Sequence, residues 1–473
     1  MDSYIGSPLT SNAVRVLMLG GGELAKGLVG AFQNLGLEVH VVDRYEGSPA
    51  QQVAHFSYTA DIDNEQAVLD LVEHVKPQFV VPEVESVAAE ALRVLHDDSA
   101  VTVVPTARAC ELTRDRKKLR EVAERIGLPT TAYKVVENFA DLEAAVDELG
   151  VPCIVKPDVM TSGRGHVLVK DKDQLKDAWN NVRRGTKNSW VVAEQFVDFD
   201  YEVIIMAVRS IDAETGKLAT WFSEPIGYEH DRGNLVECWQ PKRMSQRAFE
   251  NARSVAARIS NELGGRGIFA VELFVAGDDI YFSSVTPRPS DKAMLTEATQ
   301  RFSQYELHAR AILGLPIDIT LTSPGASSLI HANDEITEVT YTGVEDALQV
   351  AETDIRLFGK PSAYPGRRMG LVMATADDVS EARDRATIAA SKIVVGSAPV
   401  PAAASMPDTD ARAEGQHEGA LEESPEPNAG VEPVSGPESV PESAAASEPT
   451  GEVATENGAP KPQQGSDEAH RSE

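Results

Sequence analysis

The segment VRVLMLGGGELAKGLVGAFQNLGLEVHVVDRY, residues 14 to 45, constrains the fold more than any other stretch. A buried strand (Val14 to Leu19) meets three consecutive glycines, then an amphipathic helix, then a second strand ending at Asp43. Strands this apolar are buried on both faces, and a strand–helix–strand connection predicts parallel pairing, so the chain opens a doubly wound α/β sheet. Gly20, Gly21 and Gly22 permit a sharp turn and leave amide N–H groups at a helix start, where an anion can sit. Asp43 stands where a ribose-binding acid stands in a dinucleotide site, which makes a nicotinamide dehydrogenase one reading. Glu23 and Leu24 in the turn support another, because a carboxylate there repels pyrophosphate but suits an amine or hydroxyl of a small molecule.

At 473 residues the chain exceeds one core and predicts about three folded units, or two plus a tail. The hydrophobic (42%) and charged (25%) fractions are those of an ordinary globular protein, so the formal charge of −30 is the outlier. Much of it lies from Ser397 onward, in a stretch rich in Pro, Glu, Ser and Ala with no aromatic residue. Such a segment cannot bury enough surface to offset the entropy of ordering it, and is expected to be a disordered, solubilising tail. Its acidity argues against nucleic-acid binding, since it repels phosphates. Cys110, Cys153 and Cys238 are widely spaced and form no CxxC pair, which points away from a disulfide framework or a zinc site and toward the cytoplasm. No apolar run reaches the roughly 18 residues of a spanning helix, and MDSYIGSPLT lacks a basic-then-apolar signal pattern. No membrane association is expected.

Further along, KPQFVVPEVES reads as a strand with Glu83 and Glu85 at its carboxyl end, the edge where doubly wound sheets bind ligands. Glu83 fits equally the acidic first turn of a helix. In VPCIVKPDVMTSGRGHVLV a strand delivers Lys156, and the loop of Thr161, Ser162, Gly163, Arg164, Gly165 and His166 follows. Lysine at a strand end beside a glycine loop is a phosphate-covering arrangement, though a hairpin with a basic tip would look the same in isolation. WVVAEQFVDFDYEV is a strand that breaks over Glu194, Gln195, Phe196 and Val197, exposing backbone groups for an adenine edge, and resumes with Glu202, an acid for ribose hydroxyls. SQRAFENARSVAARISNELGG predicts a helix with Ala248, Ala252, Val255, Ile259 and Leu263 on one stripe and a glycine stop. RGIFAVELFVAGDDIYFSSVTPRP predicts a hairpin around Gly277, Asp278 and Asp279.

The motifs GGGELAK, VVDRY, VPEVE, PCIVKP, FAVELF, PRP, RLFGKP and GRRMG follow one another in an order that resembles the ATP-grasp superfamily. Within it the chain is similar to the formate-dependent phosphoribosylglycinamide formyltransferases, or glycinamide ribonucleotide transformylases, over about residues 11 to 396. The resemblance implies a Rossmann-like pre-ATP-grasp domain (1–125), an ATP-grasp domain (126–325), a small C-terminal domain (326–396) and the tail (397–473). It implies formate, glycinamide ribonucleotide, ATP and Mg²⁺ as ligands, formyl phosphate as intermediate, and a homodimer. It places Arg116, Lys156, Thr161 to His166, Glu194 to Val197 and Glu202 on ATP. Glu23, Leu24, Glu83, Asp291, Lys360, Arg367 and Arg368 fall on the ribonucleotide, with acids for an ammonium or sugar hydroxyls and a cationic clamp for phosphate. Arg288 and Glu272 take the catalytic positions.

The chain departs from this pattern at the metal. Two hairpin glutamates hold Mg²⁺ in the family; Glu272 matches the first, and the second falls at Ser284. Ser290 replaces a histidine, Lys292-Ala293 replaces small residues, and Arg164 replaces a lysine. A three-residue hairpin loop sets Glu272 across from Ser284 and a four-residue loop across from Ser283, so either register puts a serine opposite. Three readings stay open on the sequence: a working transformylase with an adapted metal site, a silent relative that binds nucleotide or ribonucleotide, and an ATP-grasp ligase for another carboxylate–amine pair.

Overall fold

The structure is a computed structural model that describes residues 5–98, 101–158, 165–184, 190–231 and 233–397. Ser397, the first residue of the expected tail, ends a strand instead; the rest of that tail, from Ala398 onward, and the loop residues Thr161, Ser162, Gly163 and Arg164 lie outside these residues.

The opening segment folds as its apolar pattern requires. β1 (Arg15–Leu19), β2 (Glu38–Asp43), β3 (Phe56–Thr59), β4 (Phe79–Pro82) and β5 (Thr102–Val103) form a parallel sheet in the order β3-β2-β1-β4-β5. Alternate residues face opposite sides: Val16 and Met18 pack toward the helix Glu23–Asn34, and Leu17 and Leu19 toward the helices Glu65–Val75 and Ala89–Asp97. Gly20 takes a φ of +111°, which a side chain resists, and a Cβ at Gly21 would collide with Ser48 Oγ. The turn corrects one expectation. Gly20 donates its amide to the Val42 carbonyl and Gly21 donates to Asp43 Oδ2 at 2.7 Å, so these amides cradle no anion and Asp43 braces the turn.

A second, antiparallel sheet holds β6 (Tyr133–Val136), β7 (Cys153–Pro157), β8 (Val167–Val169) and β9 (Val191–Gln195) in the order β6-β9-β7-β8. The third contains β10 (Tyr201–Ile211), β11 (Leu218–Phe222), β12 (Ile226–Asp231), β13 (Asn234–Gln240), β14 (Gly267–Ala276), β15 (Asp279–Thr286), β16 (Gly325–His331), β18 (Thr353–Leu357) and β19 (Arg368–Thr375). Its spine runs β15-β14-β10-β12-β13-β16-β19-β18, with β11 beside β10. The strand pairing does not break near residue 325, because β13 and β16 pair directly. β17 (Val339–Thr342) and β20 (Val394–Ser397) make a separate two-stranded ribbon.

This large sheet is buried on both faces, which explains the long apolar runs of β10 and β14. Val203, Ile205 and Ala207 pack on the helix Gln246–Leu263, while Ile204, Met206 and Val208 face the helix Gln304–Leu313. Each such aliphatic side chain contributes about 1.5–3 kcal/mol by leaving water. The helix Gln246–Leu263 buries Ala248, Ala252, Val255, Ile259 and Leu263, begins where Ser245 Oγ accepts the Ala248 amide, and ends at Gly264 with φ +75°.

Candidate active site

Two cavities adjoin, sharing Glu85, His230 and Gly233 in their walls. The larger, about 560 Å³, sits at the carboxyl edge of the parallel sheet, where successive βα turns diverge. The turn after β1 brings Glu23 to it, β2 ends at Arg44 and Tyr45, and β4 leads to Val84 and Glu85. Asp291, Lys360, Arg367 and Arg368 close the far side.

Charges of both signs alternate here. Lys360 Nζ lies 3.0 Å from Glu23 Oε2, Arg368 Nη2 lies 3.5 Å from Glu23 Oε1, and Arg368 also pairs with Asp291. Burial opposes ionisation of Glu23, but Lys360 and Arg368 outweigh it and hold the carboxyl below its usual range. Burial also draws Lys360 down to about 8 against the pull of Glu23. Arg367 Nη1 donates to the Ser362 carbonyl at 2.8 Å and its hydroxyl at 2.9 Å, leaving a guanidinium at the wall that pairs with no carboxylate among the described residues. Such a lining can hold a ligand carrying both an amine or hydroxyls and a phosphate.

Two expected residues stand behind this wall rather than in it. Leu24 packs against the core, and Glu83 is buried with both carboxylate oxygens lacking a hydrogen-bond partner among the described residues. The nearest base, His308 Nε2, is 3.9 Å from Glu83 Oε1. Burial, partly opposed by Arg288, raises the Glu83 carboxyl to about 8, and burial lowers His308 to about 3. Both are therefore neutral near pH 7.

The second cavity, about 330 Å³, has an apolar end of Ile154, Phe196, Phe199 and Phe274 and a cationic interior. Phe199 stacks on Phe274 at 4.7 Å between centroids, with Phe196 at 6.2 Å from Phe199, an aromatic surface suited to packing against a flat heteroaromatic ring. Lys156, delivered by β7, pairs with Glu194 of β9 across the β7–β9 ladder. Arg120 donates to both Glu194 oxygens at 3.0 Å. Burial alone would raise Glu194, but Lys156, Arg120 and Arg116 hold it far below the usual carboxylate range. Burial lowers Lys156 to about 8, and a bound phosphate would raise it again. Arg116 donates to the Pro157 carbonyl at 3.0 Å and to His166 Nε2 at 3.1 Å. Burial, then Arg116 and Lys156, push His166 down to about 2, so its ring is a neutral acceptor.

Arg116, Lys156, His166, Phe196, Glu202, Glu272 and Ser284 thus line one cavity, although they span much of the chain. Glu194 lies behind Lys156 with its backbone inside the strand ladders. Gln195 and Phe196 donate their amides to Ala132 and Pro152, and the break in the strand comes later than expected, between Gln195 and Tyr201. Gly165, Gln195 and Val197 are not in the cavity wall. Arg288 pairs with Glu85 behind the wall common to both cavities.

The hairpin departs from both loop lengths expected. Ala276 pairs with Asp279, leaving a two-residue loop, Gly277-Asp278, and a bulge beside Glu272 shifts the ladder by one. Glu272 therefore still faces Ser284. Asp278 is turned away to Ser245 Oγ. Lys292 Nζ lies 2.8 Å from Glu272 Oε1, and although burial would lower this lysine, Glu272 and Asp291 hold it above its ordinary value. No group of three or more His, Cys, Asp or Glu residues that could hold a metal occurs among the described residues. The cavity therefore fits a nucleoside triphosphate, and fits a divalent ion carried chiefly by phosphates and water with Glu272 as its protein carboxylate.

Sequence reasoning missed Arg44, Arg120, Phe199 and Lys292 as site residues. Arg120 had a usable signal: it lies one turn after Arg116, on the helix face that also buries Leu119 and Ala123. Arg44 likewise follows Asp43 at a strand's ligand edge.

The ribonucleotide synthetase preATP-grasp domain model matches residues 14–114, the ATP-grasp domain model residues 121–305, and the model described as PurT, C-terminal, residues 325–393. The formate-dependent phosphoribosylglycinamide formyltransferase of Corynebacterium glutamicum strain R is 54% identical over 394 residues, covering 83% of this chain and 97% of its own length. That of Mycolicibacterium smegmatis is 46% identical over 393 residues, covering 82% and 98%. Among solved structures, glycinamide-RNase-transformylase T from Mycobacterium tuberculosis is similar at TM-score 0.68 and 35% identity, covering 80% of this chain and 99% of its own. N5-carboxyaminoimidazole ribonucleotide synthetase from Thermotoga maritima matches at TM-score 0.71 and 25% identity, covering 81% and 99%. On its sequence, its three matched domains and the paired cavities they enclose, the chain belongs to the formate-dependent phosphoribosylglycinamide formyltransferase family of ATP-grasp enzymes.

Proposed function

We propose that the chain formylates glycinamide ribonucleotide with formate at the expense of ATP, a step of purine biosynthesis. The observation that carries this reading is the shared wall: a cavity suited to a nucleoside triphosphate opens beside one suited to a phosphorylated amine. The enzyme uses ATP with Mg²⁺. When bound, the ion would supply positive charge to the phosphates, and Glu272 with the Ser284 hydroxyl would hold it.

Phe196, Phe199 and Phe274 take the adenine, Glu202 the ribose, and Lys156 with Arg116 the phosphates. A formate oxygen attacks the γ-phosphorus, the bond to ADP breaks, and formyl phosphate forms. The ribonucleotide amine then attacks the formyl carbon, phosphate leaves with the C–O bonding pair, and the amine's proton passes to solvent. Arg288, paired with Glu85 behind the shared wall, is assigned to the acyl phosphate, where a guanidinium can steady developing charge. Glu23 and Asp291 orient the amine and sugar hydroxyls, while Arg367 and Arg368 with Lys360 hold the 5′-phosphate. Glu83 holds a neutral carboxyl behind that site.

The reading extends to a cytoplasmic homodimer: the three free cysteines suit a reducing compartment, and the dimer follows the family resemblance. The chain has no helix long and apolar enough to cross a membrane among its described residues. The test is ADP release that depends on both formate and glycinamide ribonucleotide, abolished in Glu272→Ala and Lys156→Ala. Ligand binding without turnover would instead identify a silent relative, and turnover only with another amine or carboxylate a different ligase. Size-exclusion chromatography with light scattering checks the dimer.

A further inference from the structure

Every carboxylate at the wall of the nucleotide cavity is already engaged. Glu85 pairs with Arg288, Glu202 accepts from Tyr228 Oη at 3.4 Å and stands 3.7 Å from His230 Nδ1, and Glu272 pairs with Lys292. The last pair is unusual in its support. Lys292 is buried (side chain 5% exposed), its Nζ lying 2.8 Å from Glu272 Oε1, 3.9 Å from Asp291 Oδ1 and 4.9 Å from the centre of the Tyr228 ring. It sits on the single helical turn Asp291–Ala293, whose entry residue Ser290 is gripped on both sides by Gln304: the Ser290 amide donates to Gln304 Oε1 at 2.8 Å, and Gln304 Nε2 donates to the Ser290 carbonyl at 2.9 Å. Long lysine side chains usually lose fixed position through their many rotamers; this one is held at its base and its tip.

Across the ladder from Glu272 stands a hydroxyl, Ser284, rather than a second acid. A pair of facing carboxylates would draw divalent ions to this place. One carboxylate facing a hydroxyl and ion-paired to an ammonium does so far less, and it holds that ammonium in the cavity wall.

We propose that Lys292 is a built-in cation of the triphosphate site, where its ammonium faces the bound phosphates and takes the charge-neutralising place of a second divalent ion. The nucleotide then binds with one metal ion, and keeps much of its affinity when that ion is withdrawn. This rests on the assignment of the smaller cavity to ATP.

The test uses the full chain, ADP and a non-hydrolysable ATP analogue. Calorimetric titrations with Mg²⁺ and with EDTA give affinities, and Mn²⁺ electron paramagnetic resonance counts ions per bound nucleotide. The native chain is expected to hold one Mn²⁺ per nucleotide and to lose about tenfold or less in affinity without metal. Lys292→Met should lose about tenfold or more beyond that in EDTA and much less in Mg²⁺, and Lys292→Arg should recover most of the loss. Ser284→Glu alone should stay at one Mn²⁺, and the Ser284→Glu/Lys292→Met double variant should take two. Two ions in the native chain, two in Ser284→Glu alone, or metal-free affinity indifferent to Lys292→Met would overturn the proposal while leaving the formylation reading intact. Failure of the native chain to bind either nucleotide would overturn both. If Lys292→Met does not fold, the native and Ser284→Glu ion counts decide.

Discussion

Replacing Glu83 with glutamine tests the electrostatics of the larger cavity's rear wall. The carboxyl is fully enclosed, neither oxygen has a hydrogen-bond partner among the described residues, and burial raises it to about 8 from 4.5. Below pH 4.5 the folded and unfolded chains both carry the proton. Between 4.5 and 8 only the folded chain does, so native stability falls as pH rises; above 8 both are ionised and the loss is complete. The slope in that window is about 1.4 kcal/mol for each step of one in pH, and the ceiling is about 5 kcal/mol. Local relaxation around a buried charge should bring the measured value to about 2–3 kcal/mol. Glutamine has nearly the shape of the neutral acid and does not titrate. Its extra N–H groups cost about 1–3 kcal/mol if unpaired, but by the same amount at every pH. The diagnostic is thus a slope: the difference between native and Glu83→Gln in urea midpoint should shift in favour of the variant from pH 5 to 8 and then level off. Difference infrared spectroscopy at pH 7 should show a protonated carboxyl stretch in the native chain that the variant lacks. A stability difference that stays flat across pH 5–9, together with no neutral carboxyl band, would refute the argument.

Three further outcomes follow from the same geometry. Arg120→Met removes the bidentate partner of Glu194 and should destabilise the nucleotide-side sheet by about 3–5 kcal/mol, read from urea unfolding, while weakening ADP binding; unchanged values for both would sink this account. Gly21→Ala places a Cβ against Ser48 Oγ and 3.1 Å from Asp43 Oδ2, so about 1–3 kcal/mol of stability should be lost, and Ser48→Ala in the same chain should recover part of it; calorimetric melting temperatures decide. Arg367→Ala should raise the KM for glycinamide ribonucleotide about 10- to 100-fold through a lost charged contact to phosphate and leave the KM for ATP nearly unchanged; equal effects on both would move Arg367 off the phosphate.

Local pattern made much of this architecture legible. The apolar run of β1 and its strand–helix–strand link to β2 predicted a parallel sheet, and the alanine-rich stripe of the helix Gln246–Leu263 predicted its buried side residue by residue. The partner of Glu272 was also legible, though for a different reason from the one given. The loop is shorter than either expected length, and a bulge keeps Glu272 opposite Ser284. Period-two alternation constrains which face a residue occupies, but not where an extra residue is absorbed.

The sequence by itself determined the elements, the glycine turn after β1 and the chemical types gathered around two ligands, because strand and helix periodicity are local consequences of backbone geometry. Tertiary structure decided what each charge faces. Lys292 looked like a departure from pattern and proved to be the partner of Glu272, twenty residues away, while Arg120, which no motif singled out, proved to clamp Glu194, seventy-four residues away. Asp43 became a brace for its own turn, and Glu83 an enclosed carboxyl without a hydrogen-bond partner among the described residues. Burial and pairing are properties of surfaces brought together by folding, and the free energy of an ion depends on them more than on its neighbours along the chain.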